Sequence, residues 1–168
     1  MEEKTVQQQF IESYDELSDA IFRHCYFRVS NREVALDLMQ DAFAKTWRHL
    51  QKGNDIYDTR AFLYKVTNNL IIDYYRKKKS LSLEQLTEDE ESPFQPPDNA
   101  HEQMIIQAEL SKAMEMLDKL EEPYRQAVTL RYIDGLSPKE IAEIVGENAN
   151  NVSVRINRGI SKLKKYIN

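Results

Sequence analysis

Ser137-Pro138-Lys139-Glu140-Ile141-Ala142-Glu143-Ile144-Val145-Gly146, followed after Glu147 by Asn148-Ala149-Asn150-Asn151-Val152-Ser153-Val154-Arg155-Ile156-Asn157-Arg158-Gly159, is the stretch on which the fold turns. Ser137 and Glu140 stand three apart, the spacing at which a hydroxyl and a carboxyl satisfy each other's free backbone donors at a helix start. Pro138 takes the first helical position, where its missing N–H costs nothing. Gly146 suits the left-handed residue that ends a helix, and Asn148 is a good cap for the next one. Two short helices joined by a Gly-containing turn of about four residues form a helix-turn-helix.

At about 100° per residue, Val152, Ile156, Gly159, Leu163 and Tyr166 fall on one stripe, which predicts the core face of the second helix. Asn151, Arg155, Arg158, Lys162 and Lys165 form an adjacent stripe, and residues 148–168 contain no acid. A charged run on a helix is most often solvated surface. Here it coincides with a capped helix pair and a tight turn, a combination that favours contact with DNA. A helix of this kind fits the major groove, where Arg pairs with guanine edges and Asn or Gln with adenine.

Upstream, Pro123 starts a helix carrying Ala127, Leu130 and Tyr132. Before it, Met104, Ala108, Leu110, Met114, Leu117 and Leu120 recur at helical spacing. Between about Ser80 and Asn99 the composition changes. Pro93, Pro96 and Pro97 break helices, and Glu88-Asp89-Glu90-Glu91 repels itself. This segment reads as a flexible acidic tether, and residues 81–103 are taken as the boundary between two domains, 1–80 and 104–168.

Four helices are read before residue 80, counting both sides of a break in the first. The first runs from about Thr5 to Arg28 on Phe10, Tyr14, Leu17, Ile21 and Cys25, with a break expected near Ser13–Glu16. Ser30-Asn31-Arg32-Glu33 has the spacing of a second capping box and opens a helix to about Leu50. Gln51–Asp58 is polar, contains Gly53 and reads as a loop. Asp58 or Thr59 then caps a helix through Phe62, Val66, Asn69, Leu70 and Asp73 that ends in Arg76-Lys77-Lys78-Lys79. Every element is helical, so the fold class is all-α.

With 41% hydrophobic residues among 168, the chain can fill real cores. The net charge of −5 argues at first against nucleic acid, but the charge is segregated. Residues 61–80 carry five basic side chains and one acid, and 123–168 carry eight and four. Residues 81–122 carry two and twelve. Two basic blocks therefore flank an acidic middle. No apolar run is long enough to span a bilayer or form a signal peptide. One cysteine, Cys25, allows no internal disulfide, which points to a cytoplasmic chain with Cys25 as a small buried residue. His24, His49 and His101 lack partners at metal-ligand spacing and read as ordinary helix or linker residues. No phosphate loop or catalytic set is visible, so neither enzyme activity nor a cofactor is expected.

Asp37, Gln40 and Asp41 share one face of the second helix, a cluster that is usually only solvated surface. The third helix mixes aromatics, amides and cations in a way that suits single-stranded nucleic acid, and equally a core helix with a basic end. A resemblance separates these readings. Asp37-Leu-Met-Gln-Asp-Ala-Phe43, then Ala61-Phe-Leu-Tyr-Lys-Val-Thr-Asn-Asn-Leu-Ile-Ile-Asp-Tyr-Tyr-Arg-Lys-Lys78, resembles the signature helices of the sigma-2 domain. Leu117-Asp-Lys-Leu-Glu-Glu-Pro-Tyr-Arg125, then Gly135-Leu-Ser-Pro-Lys-Glu-Ile-Ala-Glu-Ile-Val-Gly146, resembles the sigma-4 domain. Both pairs, in this order, resemble a bacterial sigma factor of the small extracytoplasmic-function type.

The resemblance implies a sigma-2 helical bundle and a sigma-4 helix-turn-helix that bind core RNA polymerase and promoter DNA. Asp37, Gln40 and Asp41 match the positions that dock on the clamp helices of the largest subunit. Lys52–Thr59, with Lys52 and Asn54, matches the loop that captures a base flipped from the minus-10 element. Asn69, Asp73, Arg76 and Lys77 lie on the helix that supports that strand. Asn150, Asn151, Ser153, Arg155, Arg158 and Lys162 fall on the face expected at the minus-35 element, with the second domain expected on the flap of the second-largest subunit. Ser153 stands where family members frequently carry a basic residue, so a different minus-35 sequence is expected. An anti-sigma factor is a further partner of the family. Two other readings fit parts of the chain. One is a helix-turn-helix regulator that binds duplex operator without polymerase. The other is a helical adaptor that never touches DNA, which leaves the acid-free helix without a purpose.

Overall fold

The computed structural model of the chain describes the backbone of residues 3–84 and 100–167 and the side chains of 3–81 and 108–167. Helices α1 (Val6–Val29), α2 (Arg32–Gln51) and α3 (Thr59–Glu84) precede the segment 85–99, which lies outside the described residues together with most of the expected tether. Then come α4 (Ala100–Asp118), α5 (Glu122–Val128), a π-helical turn (Thr129–Ile133), α6 (Pro138–Val145) and α7 (Ala149–Ile167). No strand occurs among the described residues.

The helix ends follow local chemistry, with two departures from expectation. Thr5 caps α1 reciprocally with Gln8, at 3.1 and 3.0 Å. The helix is not broken at Ser13–Glu16: α1 continues through it, with the Ser13 hydroxyl donating back to the Gln9 carbonyl at 2.9 Å. Ser30 does not open a capping box either. It closes α1 in the left-handed region, φ 56°, and Asn31 caps α2 by accepting from Val34 N at 3.1 Å. The Ser30 hydroxyl is engaged elsewhere, donating to Asp118 Oδ1 at 2.6 Å across the chain. Helix α3 runs five residues past Lys79, and α4 starts before Met104.

Leu130 and Tyr132, expected in an α-helix, lie instead in the π-helical turn, where Asp134 N reaches back five residues to Thr129 O at 3.1 Å. Asp134, which follows that turn, meets His24 of α1 and Tyr64 of α3.

The two halves share one core. Ile21 and Cys25 of α1, Leu38 and Phe43 of α2, and Leu63 and Ile71 of α3 are continuous with Leu130, Leu136, Ile141 and Val152 of the second half. Phe27 enters a second cluster built by Met114, Leu117, Leu120 and Val128. Burying one such side chain contributes about 1.5–3 kcal/mol, so the contact between halves is apolar as well as polar. Gly159 lets α7 approach α5 closely: a Cβ there would stand 2.6 Å from Val128 Cγ2.

Candidate functional site

The helix-turn-helix forms as its sequence dictates. Glu140 N donates to Ser137 Oγ and Ser137 N to Glu140 Oε1, both at 3.2 Å, and Gly146 ends α6 at φ 74°. Asn148 Oδ1 accepts from Asn151 N at 2.8 Å and starts α7. Val152, Ile156 and Gly159 are buried and Leu163 half-buried, whereas Tyr166, at the end of the stripe, is exposed. Outside that stripe α7 presents Asn150, Asn151 and Arg158 to solvent, with Ser153, Arg155 and Lys162 half-buried.

Three of these side chains are already engaged. Lys162 Nζ stands 3.7 Å from Glu121 Oε1 and 4.8 Å from the centre of the Tyr124 ring. Arg155 Nη2 donates to Glu147 Oε1 at 2.7 Å, and Asn151 Nδ2 to Glu147 Oε2 at 3.2 Å. Both bonds, that of Asn151 foremost, hold the Glu147 carboxyl below its ordinary range. Glu147 was not among the candidates read from sequence, although its spacing of four to Asn151 is the one at which helical neighbours meet.

In the first half, Lys52 and Asn54 are exposed on the loop between α2 and α3, where Gly53 takes φ 82°. Asp58, not Thr59, caps α3, accepting from Ala61 N at 3.1 Å. Asn54 lines an open cleft of about 450 Å³ with Phe10, Leu50, Asp55 and Ile56, while Lys52 lies outside it. A second cleft of about 260 Å³ lies between this loop and α6, bordered by Tyr57, Lys65 and Glu143. Asn69, Arg76 and Lys77 are exposed on α3. Asp73 pairs with Lys77 at 3.1 Å. On α2, Asp37, Gln40 and Asp41 are all exposed, above the buried Leu38, Met39, Ala42 and Phe43.

A polar network between the halves was not legible in the sequence. His24 is not an ordinary helix residue: its Nδ1 meets Asp134 Oδ2 at 2.5 Å, and neither side chain is exposed. Tyr64 donates to the other Asp134 oxygen at 3.1 Å, and Arg60 Nη2 to the Asp134 carbonyl at 3.3 Å. Burial, reinforced by Asp134, pushes the Tyr64 hydroxyl pKa up. Arg28, fully buried, pairs with Glu122 and donates to Asn68 Oδ1 at 3.2 Å. Gln126 donates to the same oxygen at 2.6 Å. Arg125 donates to the Phe27 carbonyl from Nη2 at 2.6 Å and Nε at 2.8 Å, and from Nη1 to Asp118 Oδ1 at 2.8 Å. Two buried atoms of this region, Arg28 Nε and Thr129 Oγ1, have no hydrogen-bond partner.

Among the described residues no three His, Cys, Asp or Glu side chains gather as a metal site, and no helix is long and apolar enough to cross a membrane.

Comparison with known proteins matches the two halves separately. The sigma-70 region 2 family matches residues 13–81, and the sigma-70 region 4 family matches residues 110–163. The extracytoplasmic-function (ECF) RNA polymerase sigma factor SigW of Bacillus subtilis (strain 168) is 31% identical over 170 residues, covering 96% of this chain and 90% of SigW. The corresponding factor SigE of Mycolicibacterium smegmatis is 32% identical over 173 residues, covering 97% of this chain and 65% of its own length. Among solved structures, RpoE in complex with the anti-sigma factor NepR from Bartonella quintana gives a TM-score of 0.75 at 20% identity, over 95% of this chain and 96% of that one. CnrH in complex with the cytosolic domain of CnrY gives 0.71 at 23%, over 96% and 88%. Both likenesses extend across the two halves.

Proposed function

The chain belongs to the extracytoplasmic-function RNA polymerase sigma factors of the sigma-70 family, and from that membership we propose that it directs initiation by reading minus-10 and minus-35 elements with its two halves. Residues 1–80 act as the sigma-2 domain, 81–103 as the tether and 104–168 as the sigma-4 domain. The observation that carries the reading is the acid-free α7, mounted on a capped helix-turn-helix and presenting Asn150, Asn151 and Arg158 to solvent.

In this reading Asp37, Gln40 and Asp41 dock on the clamp helices of the largest polymerase subunit. A base of the melted minus-10 strand enters the cleft beside Asn54. Asn69, Arg76 and Lys77 hold that strand, and Lys52 lies close enough to the cleft to meet its phosphates. Asn150, Asn151, Ser153, Arg155 and Arg158 face the minus-35 duplex, and the second half rests on the flap. Asp73 acts through Lys77, and Lys162 meets DNA only after leaving Glu121. The chain works in the cytoplasm, and an anti-sigma factor is its natural inhibitor; the similar structure of the sigma factor RpoE in complex with the anti-sigma factor NepR motivates that part.

Elements centred some 25 base pairs apart are separated by roughly 85 Å at about 3.4 Å per pair. A packed body of this length measures only about 40 Å across, from the scaling of size with chain length. The halves must therefore part on the promoter, breaking the His24–Asp134 and Arg28–Glu122 contacts. Residues 85–99 reach at most roughly 50 Å at about 3.3 Å each, and the helical 81–84 and 100–103 add about 12 Å at about 1.5 Å each, which together with the widths of the domains bridges the separation.

Co-purification tests the reading. The tagged chain should carry core RNA polymerase with it and bind duplex DNA weakly by itself. Tight operator binding without polymerase, and no association with core enzyme, would make it a free-standing regulator instead.

A further inference from the structure

Glu147 occupies the turn between α6 and α7, one residue beyond the left-handed Gly146. Its two carboxylate oxygens are divided between two side chains: Oε1 accepts from Arg155 and Oε2 from Asn151. The neighbouring Asn148 fixes the same turn through the Asn151 backbone N–H. One acid therefore governs two of the side chains set against the duplex.

The chemistry of the donors gives this hold a direction. An ionised carboxylate only accepts, so the Asn151 amide must turn its nitrogen toward Glu147 and leave its oxygen and second N–H outward. The Arg155 guanidinium, held through Nη2, keeps its remaining donors on the side away from the acid. Without Glu147 the amide could turn either way and the guanidinium could swing about its stem. A half-exposed ion pair contributes little to folding stability. An acid beside a phosphate backbone also lowers affinity for every DNA sequence alike. What remains for Glu147 is orientation, and orientation of polar groups governs discrimination more than affinity.

We infer that Glu147 is a positioning residue that sets the base preference of α7 by holding Asn151 and Arg155 in one orientation. The inference rests on the minus-35 reading above and goes beyond it by placing specificity on a residue that need not touch DNA.

The test uses the full chain assembled with core RNA polymerase and a promoter library randomised over the upstream element. Glu147→Gln should melt with the wild type and lose about tenfold in discrimination at the base pairs facing Asn151 and Arg155, the range of one good base contact. Preference at the pair facing Arg158 should persist, and binding to unrelated DNA should hold or tighten. Glu147→Asp keeps the charge but draws the carboxylate back by one methylene. It should behave like Gln if position matters and like the wild type if charge alone does. In an Arg155→Ala background, Glu147→Gln should cause no further change at the Arg155 base pair. A uniform shift across all sequences, wild-type behaviour of Glu147→Asp, or additivity with Arg155→Ala would overturn the inference. If Arg155→Ala and Arg158→Ala both leave upstream preference unchanged, the minus-35 reading itself fails and the inference falls with it.

Discussion

His24 and Asp134 lie 110 positions apart, yet His24 Nδ1 and Asp134 Oδ2 meet at 2.5 Å with both side chains wholly buried. Arg28 Nη1 stands 3.5 Å from the other ring nitrogen. A guanidinium only donates, so this suits an imidazole whose proton sits on Nδ1 and points at Asp134. The pair joins the half that carries the loop between α2 and α3 to the half that carries the helix-turn-helix.

Asp134→Ala removes the acceptor of both His24 and Tyr64. Leaving buried donors unpaired costs about 1–3 kcal/mol each, so denaturant unfolding should move to a clearly lower midpoint. A midpoint equal to that of the wild type would mean that the halves do not pack this way in solution.

Cys25 offers a native reporter of the same contact. Burial pushes its thiol pKa up to about 12, with the Asp134 charge adding to the rise. The thiolate is the reactive form, so from an ordinary value of 9.0 its population at pH 8 falls about a thousandfold. Alkylation of the native chain should therefore be very slow, and Asp134→Ala should speed it. Labelling at the rate of a free thiol would contradict the burial of Cys25.

Gly159→Ala should destabilise the second half. Alanine favours a helix over glycine by about 1 kcal/mol, but its methyl would stand 2.6 Å from a β-branched, buried Val128. Overpacking of that kind costs about 1–3 kcal/mol. A higher melting temperature than wild type would show that α5 and α7 do not meet here.

Replacing Asp37, Gln40 and Asp41 together by Ala should leave the melting curve in place, since all three are exposed. Competition against the wild-type chain for core RNA polymerase should collapse, because truncating one side of a desolvated charge pair costs about 2–5 kcal/mol. Undiminished competition would move the docking surface elsewhere.

What the sequence revealed was mostly local. The Ser137–Glu140 box, Gly146 and the stripe of Val152, Ile156 and Gly159 involve residues within a few turns of each other, and the backbone forms what their spacing predicts. Contacts between the halves were not legible. His24 within α1 and Asp134 just beyond the π-helical turn each look unremarkable in their local sequence, and only tertiary packing pairs them. Ser30 misleads for the same reason, because its hydroxyl turns to Asp118 and Arg125 rather than to its own helix. The Thr129–Ile133 turn carries no spacing that separates a π-helix from an α-helix. Of the candidate site residues, those on α2 and the start of α7 stand exposed as read, whereas Lys162 and Arg155 are held by Glu121 and Glu147, acids outside the stripe.

Initiation from a random library tests the central claim most directly. Core RNA polymerase with and without the purified chain is given templates randomised across the upstream region, and the transcribed templates are sequenced. The chain should enrich templates with two base-specific blocks centred about 25 base pairs apart, consistent with roughly 85 Å of duplex, and Arg158→Ala should blur the upstream block alone. No start-specific transcription above that of core enzyme, or enrichment of a single block, would contradict the claim.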